Sequence, residues 1–412
     1  MKFFQDNLEA PDLPISRRIQ GVTIHNAMRL LTQTLLTAEY PQSSIEAMGV
    51  LISDFLDHVG FLEATNAKDK VYGLLSVLRL ININIPEPDY SKSVEIIYEE
   101  AALAIMRALK SLRLFKYACT GDRSPKLPSW VPDWENEHRM IHHKGDPVYF
   151  GEAEIVCKEQ GQLTLSGKEI DTIANRARAD FAIKKAGGYE VEDDLQVLTG
   201  ENYSIPDHES IRSLVIFLPV LKEWVYFTEG LTSYPTGDFV MNVLQNTLML
   251  SSDINTTSRE VLDMFFDMLK YPRCKNPGLS GAVQMMEQLA TEDKQNQAFW
   301  TPDVRGSVAV ALALGSEVYE TIPQRTRLQQ LVETISFNTR DRAFFFTHRG
   351  YMGTSFYTLQ RGDRIVLFRG AKEPIIVRLV DQYYRLIGPA YIFGLMPTSF
   401  GDDDELDSFI LI

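Results

Sequence analysis

AKDKVYGLLSVL (67–78), PEPDYSKSVEIIYEEAALAIMRALKSL (86–112) and LPSWVPDW (127–134) are three pieces of one stretch on which the reading of the fold turns. Pro86 and Pro88 bar helix on their N-terminal side, and Ser91 stands where an N-cap would accept a first-turn amide, so a helix is expected from Lys92. Val94, Ile97, Tyr98, Ala101, Ile105, Leu109 and Leu112 recur at three- and four-residue steps, giving one buried stripe and leaving Glu95, Glu99, Arg107 and Lys110 in water. Val71, Leu74, Leu75 and Leu78 form a shorter stripe upstream, expected to pack on the first. The third piece interleaves prolines, which cannot donate to a ladder, with two large aromatics. It reads as an ordered loop on apolar surface, with Trp130 and Trp134 as anchors rather than ligand-stacking platforms.

Working outward, Ile24, Met28, Leu31, Leu35 and Ala38 predict a helix over 23–39, ended by Tyr40-Pro41. Ser43 and Glu46 form a capping box ahead of an Ile45–Val59 stripe. Downstream, Glu154–Glu159 and Gln162–Ser166 flank Gln160-Gly161 and predict a β-hairpin. Helices are expected over 211–225, with Pro219 kinking or ending it, over a Phe239/Val240/Val243/Leu244 stripe with Thr236 as cap, and over a Val261/Met264/Phe265/Met268 stripe. Further helices are read at 282–289, 305–319 and 324–336. From Arg342 the period becomes two: 343–347, 351–355, 364–368, 374–379 and 383–395 are strand candidates, joined by turns at Arg349-Gly350, Arg361-Gly362-Asp363 and Arg369-Gly370-Ala371-Lys372. The fold class is α+β: a helical N-terminal part (1–134), a middle with a β-hairpin and helices (135–340), and a small antiparallel barrel-like sheet (341–412). The acidic run 402–405 reads as a solvated tail.

Several of these segments carry a resemblance. Lys68-Asp69-Lys70-Val71-Tyr72-Gly73, then Pro88-Asp89-Tyr90-Ser91, then Leu127 to Trp134 resemble the fungal heterokaryon-incompatibility (HET) domain family at the C-terminal border of that domain and just beyond it. Gly167-Lys168-Glu169-Ile170-Asp171-Thr172-Ile173, Tyr234-Pro235-Thr236-Gly237-Asp238, and the series Gly350-Tyr351, Gly362-Asp363, Gly388 and Tyr391-Ile392-Phe393-Gly394 extend the likeness to about Met396. These motifs name the candidate structural anchors: Asp69, Tyr72, Asp89, Tyr90, Trp130, Pro132, Asp133, Trp134, Gly350, Tyr351, Gly362, Asp363, Gly388 and Tyr391. The family's N-terminal core, which resembles TIR domains and is held responsible for cell death, finds no counterpart after Met1. The resemblance therefore implies a chain that is inert alone and needs a partner supplying that core.

Composition sets outer bounds. With 412 residues, 45% hydrophobic and 23% charged, the chain can hold two or three domains with ample core. A formal charge of −14 argues against nucleic-acid or anionic-membrane partners. The apolar runs 214–221 and 308–314 are too short to span a bilayer, and Asp6 and Glu9 interrupt any signal sequence. Cys119, Cys157 and Cys274 follow no pairing motif, as in a reduced, cytoplasmic protein. Residues 161–169 imitate a phosphate loop with wrong spacing and with Glu169 where a hydroxyl is required. His138 and His142 have metal-pair spacing beside Asp133, Glu135, Glu137 and Asp146, but no third ligand is fixed, so they read as solvated loop residues. No catalytic residue, cofactor or metal is expected. The expectation is a non-catalytic HET-family protein that binds another protein in fungal self/non-self recognition and cell-death regulation. The alternatives are an enzyme of fungal specialised metabolism, with a pocket between the β-rich and helical parts, and a truncated HET protein.

Overall fold

The computed structural model describes residues 64–80, 83–119, 123–135, 152–177, 218, 220–251, 254–270, 291, 325–339, 341–395 and 405–412. The predicted helices at 23–39, 43–59, 282–289 and 305–319 and the histidine loop lie outside these.

The N-terminal layer holds α1 (Asp69–Tyr72), α2 (Leu75–Leu80), α3 (Val94–Leu109) and α4 (Phe115–Ala118). Helix α3 is capped by Ser93, whose hydroxyl accepts the Ile96 amide, and not by Ser91. Ser91 is drawn away because its amide and hydroxyl both donate to the Asp89 carboxylate, closing an Asx turn ahead of the helix. The helix also buries more than one stripe. Glu99, expected in water, is 6% exposed and accepts the Gly161 amide at 2.7 Å.

Strand β1 (Leu163–Arg176) follows, then α5 (Val240–Met249), α6 (Thr256–Lys270), α7 (Arg325–Thr339), β2 (Arg342–Thr347), β3 (Met352–Phe356), β4 (Arg364–Phe368), β5 (Ile375–Val380), β6 (Tyr383–Pro389), β7 (Tyr391–Ile392) and β8 (Asp407–Leu411). Strand β1 organises the sheet by taking three partners along its length. Leu163–Gly167 pair with β8, Gly167–Thr172 with β4, and Ile173–Arg176 with β2, all antiparallel. Register shifts at Glu169/Asp171 and Ile173/Asn175 bend it from one partner to the next. The ring β1–β4–β5–β6–β8 closes on itself as a five-stranded barrel, and β2, β3 and β7 extend from the end of β1 as a flap. Gly167 touches both β8 and β4. A Cβ there would stand 2.7 Å from the Leu367 carbonyl oxygen, so only glycine lets the strands meet.

Three sequence readings change here. The hairpin at 154–166 is reduced to one bridge, Val156 with Thr164, because 163–166 are taken by β8. The tail beyond the acidic run is a barrel strand, β8, which the polar residues before it concealed. The 383–395 candidate divides into β6 and β7 around Ala390.

The barrel stands between two helical layers. One core joins α1–α4 and the tryptophan loop to Leu163, Val366, Phe368, Val377, Leu386 and Leu411 on the barrel wall. A second joins residues 220–227, α5, α6 and α7 to Phe344 and Met352 of the flap. A third, around Ile173, Phe345, Ile365, Ile376 and Ile387, is made by the strands themselves. Strand β4 is consequently buried on both faces beyond Arg364, which explains its Ile-Val-Leu-Phe run, and β3 is buried throughout although it carries Thr354 and Ser355. Each such aliphatic or aromatic side chain contributes about 1.5–3 kcal/mol on burial. No helix among the described residues is long and apolar enough to cross a membrane.

Candidate functional site

The predicted anchors fall into three groups. The first is the tryptophan loop. Trp130 and Trp134 are fully buried, Trp134 meeting the Tyr98 ring edge-to-face at 5.0 Å and Trp130 donating to the Gly161 carbonyl oxygen at 3.2 Å. Pro132 is buried, and the Asp133 carboxylate accepts the amides of Ser124 and Glu135. Between them Ser129 ties the loop to the barrel: its amide and hydroxyl donate to the Ile412 carbonyl oxygen and its hydroxyl accepts the Leu386 amide. Arg123, which no motif singled out, fans its guanidinium over the carbonyl oxygens of Ala118, Leu127, Pro128, Ser129 and Val131. An arginine ahead of a proline-interrupted loop, where carbonyls lack ladder partners, is the signal that was available.

The second group locks the turn into α3. The Tyr72 hydroxyl donates to the Asp89 carbonyl oxygen and accepts the Asp89 amide, while the Tyr90 hydroxyl donates to Asp69 at 2.5 Å. That bond raises the Tyr90 pKa, and the Ser91 hydrogen bonds lower that of Asp89.

The third group belongs to the barrel and flap. Asp363, 2% exposed, takes the Arg378 guanidinium on both carboxylate oxygens at 2.8 and 2.9 Å. The Gly362 amide and the Asp363 carbonyl oxygen hold this turn against Ile173 of β1. Gly388 lies against Cys119 and Phe356, each 3.2 Å from where its Cβ would be. Cys119 is buried, which pushes its thiol up to about 12 and leaves it a weak nucleophile. Tyr391 pairs with Thr354 at the flap edge. Gly350, at φ +86°, turns β2 into β3 and puts Tyr351 against the Tyr234 ring at 5.9 Å.

Tyr234 leads to a concave feature. Its hydroxyl donates to the Phe393 carbonyl oxygen at 2.7 Å and accepts the Met352 amide at 3.1 Å, fixing the 228–241 segment to the flap. Beyond it an open cleft of about 690 Å³ lies between that segment and α6. Leu231, Phe239, Val240, Met241 and Phe266 give apolar surface; Glu229, Asp238, Asp263 and Asp267 give carboxylates. Burial, helped by the Asp267 charge, raises the Asp263 pKa, although Gln245 donates to it at 2.7 Å. Phe239, read as part of a buried stripe, is 73% exposed, because it precedes the first turn of α5 instead of lying within it. Thr236 does not cap that helix; its hydroxyl donates to Asp238. Among the described residues no group of His, Cys, Asp and Glu is arranged to hold a metal ion.

Residues 329–412 match the family model of the Het-6 beta-barrel domain, a span that contains β2 to β8 and omits β1, the strand that closes the ring. Across almost the whole chain the similarity is to Heterokaryon incompatibility protein 6, OR allele, of Neurospora crassa: 23% identity over 443 residues, covering 98% of this chain and 59% of that protein. The chain thus spans about three fifths of the length of the curated relative it matches. No solved structure matches it. The likeness is thus to HET-family proteins: to their barrel domain over residues 329–412, and along almost the whole chain to a heterokaryon incompatibility protein.

Proposed function

We propose that this protein acts in the cytoplasm, without catalysis, by binding another protein during fungal self/non-self recognition, and that this binding regulates the cell death that follows. The observation that carries the reading is similarity to a heterokaryon incompatibility protein along 98% of the chain, barrel included. The cleft supports it: a shallow opening lined by carboxylates and apolar side chains suits an extended protein surface better than the enclosed pocket a small substrate needs. The tryptophan loop supplies the rigid frame, since its polar groups are spent on the chain itself.

The test is genetic. The chain is expressed in a filamentous fungus in strains differing at their incompatibility loci, and forced heterokaryons are scored for growth. Arrest restricted to particular pairings is expected. Equal growth in every pairing would sink the reading.

A further inference from the structure

We propose that the cleft between the 228–241 segment and α6 is a docking groove for a basic, amphipathic segment of a partner protein. Its Arg or Lys side chains would meet Asp238, Asp263 and Asp267, and its apolar side chains would lie on Phe239 and Met241. The inference rests on the protein-binding reading above and supplies the chemistry of the partner.

Charge is the first argument. Among the described residues, those lining the cleft include four carboxylates and no lysine, arginine or histidine. The nearby cation Arg259 is committed to Asn242, Gln245 and Asn246. Carboxylates of one sign beside apolar walls focus their field outward and attract a cation. The same field repels nucleic acid and anionic lipid, which leaves a basic protein segment as the fitting occupant. Asp263 and Asp267 stand one turn apart on α6, a like-charge spacing that costs the free helix stability and that a bound cation relieves.

The second argument is independent of charge. Phe239 occupies the N-cap of α5, where it makes no side-chain cap hydrogen bond, and it is exposed. A serine or aspartate there would satisfy an orphan amide of the helix. A site that forgoes a cap to present an aromatic ring to water breaks a local rule as binding surfaces do. The loop that carries the ring is also anchored: Tyr234 tethers it to Met352 and Phe393, and Pro235 packs on Gly350. Little ordering is then required when a partner arrives.

The probe is a fluorescent amphipathic peptide of leucine and lysine, titrated into the full chain. Two comparison probes are the same peptide with glutamate for lysine and vesicles of phosphatidylserine. Saturable binding of the lysine peptide alone, weakening with salt, is expected. Asp263→Lys/Asp267→Lys should weaken it roughly tenfold, the equivalent of one or two lost ion pairs. Phe239→Ala should weaken it without altering the salt dependence. Glu154→Lys/Glu405→Lys, an equal charge change elsewhere, should leave it intact, and denaturant midpoints confirm that each variant is folded. Equal binding of the glutamate peptide, preference for vesicles, or indifference to the cleft substitutions would overturn the proposal. The two readings fail separately. If Asp263→Lys/Asp267→Lys leaves pairing-specific growth arrest intact, the groove is refuted and the protein-binding role stands; if the wild-type chain gives no arrest in any pairing, the role itself fails.

Discussion

Trp130 donates its indole N–H to the carbonyl oxygen of Gly161, and Glu99 receives the amide of that same glycine, so one residue at the mouth of β1 is gripped from both loop and helix. Helical layer and barrel are joined there by groups that have no water to fall back on. Trp130→Ala and Trp134→Ala should each cost about 3–5 kcal/mol, the range for deleting a large buried aromatic. Trp130→Phe should cost less, since it keeps most of the apolar volume and loses the bond. Urea midpoints at constant m-value measure this; midpoints equal to wild type would mean the loop carries no load.

Glu99 gives the protein a pH dependence of defined sign. Burial raises its carboxyl above the usual range, although the Gly161 amide opposes the shift. The folded state therefore holds the proton more tightly than the unfolded chain does. This contribution is complete below the unfolded value of about 4.3 and is lost as pH rises through the folded one. Glu99→Gln keeps an acceptor for Gly161 and removes the titration. The stability difference between variant and wild type should grow from acidic to neutral pH; a constant difference would show that Glu99 titrates normally.

Asp363 and Arg378 should behave as a coupled unit. Removing either alone leaves a charge in a tight, largely dry turn, and Asp363→Ala also frees the Gln360 amide that its carboxylate accepts at 2.7 Å. Each single truncation should cost about 3 kcal/mol and the double far less than the sum. Strict additivity in the double-mutant cycle would contradict this.

Phe239→Ser exchanges function for stability. It places a cap residue at the start of α5 and should raise stability by about 1 kcal/mol. The same variant should lose affinity for the basic peptide. A stabilised variant that binds as well as wild type would show that the ring is not used.

The parts legible in the sequence were those whose period is set by a single neighbour. The boundaries of strands β2 to β5 were read within a residue or two, the stripe of α3 was found although the helix stops at Leu109, and the upstream stripe proved to span two helices, α1 and α2. Glu99 was misplaced because a charged side chain in a helix reads as wet unless its partner is known, and Gly161 is distant in sequence. Strand β8 was hidden by the acidic run before it, and β1 was cut short at Ser166, ahead of Gly167. The cleft was not legible at all: its carboxylates come from separate elements, and Phe239 differs from a core phenylalanine only in lying one residue before the helix.

The barrel's closure fixes a schedule during synthesis. Strand β1 leaves the ribosome long before β4, β5, β6 and β8, and at ~5–20 residues per second it waits on the order of tens of seconds for β8. Until β2 and β4 emerge the strand has none of its three strand partners, and its Leu163–Gly167 part, with apolar Leu163 and Leu165, waits longest, for β8. The nascent chain is thus exposed to chaperones, or to another chain offering a β8-like strand, for longer than its finished structure suggests. A stop codon just before Asp407 would make that vulnerable state permanent.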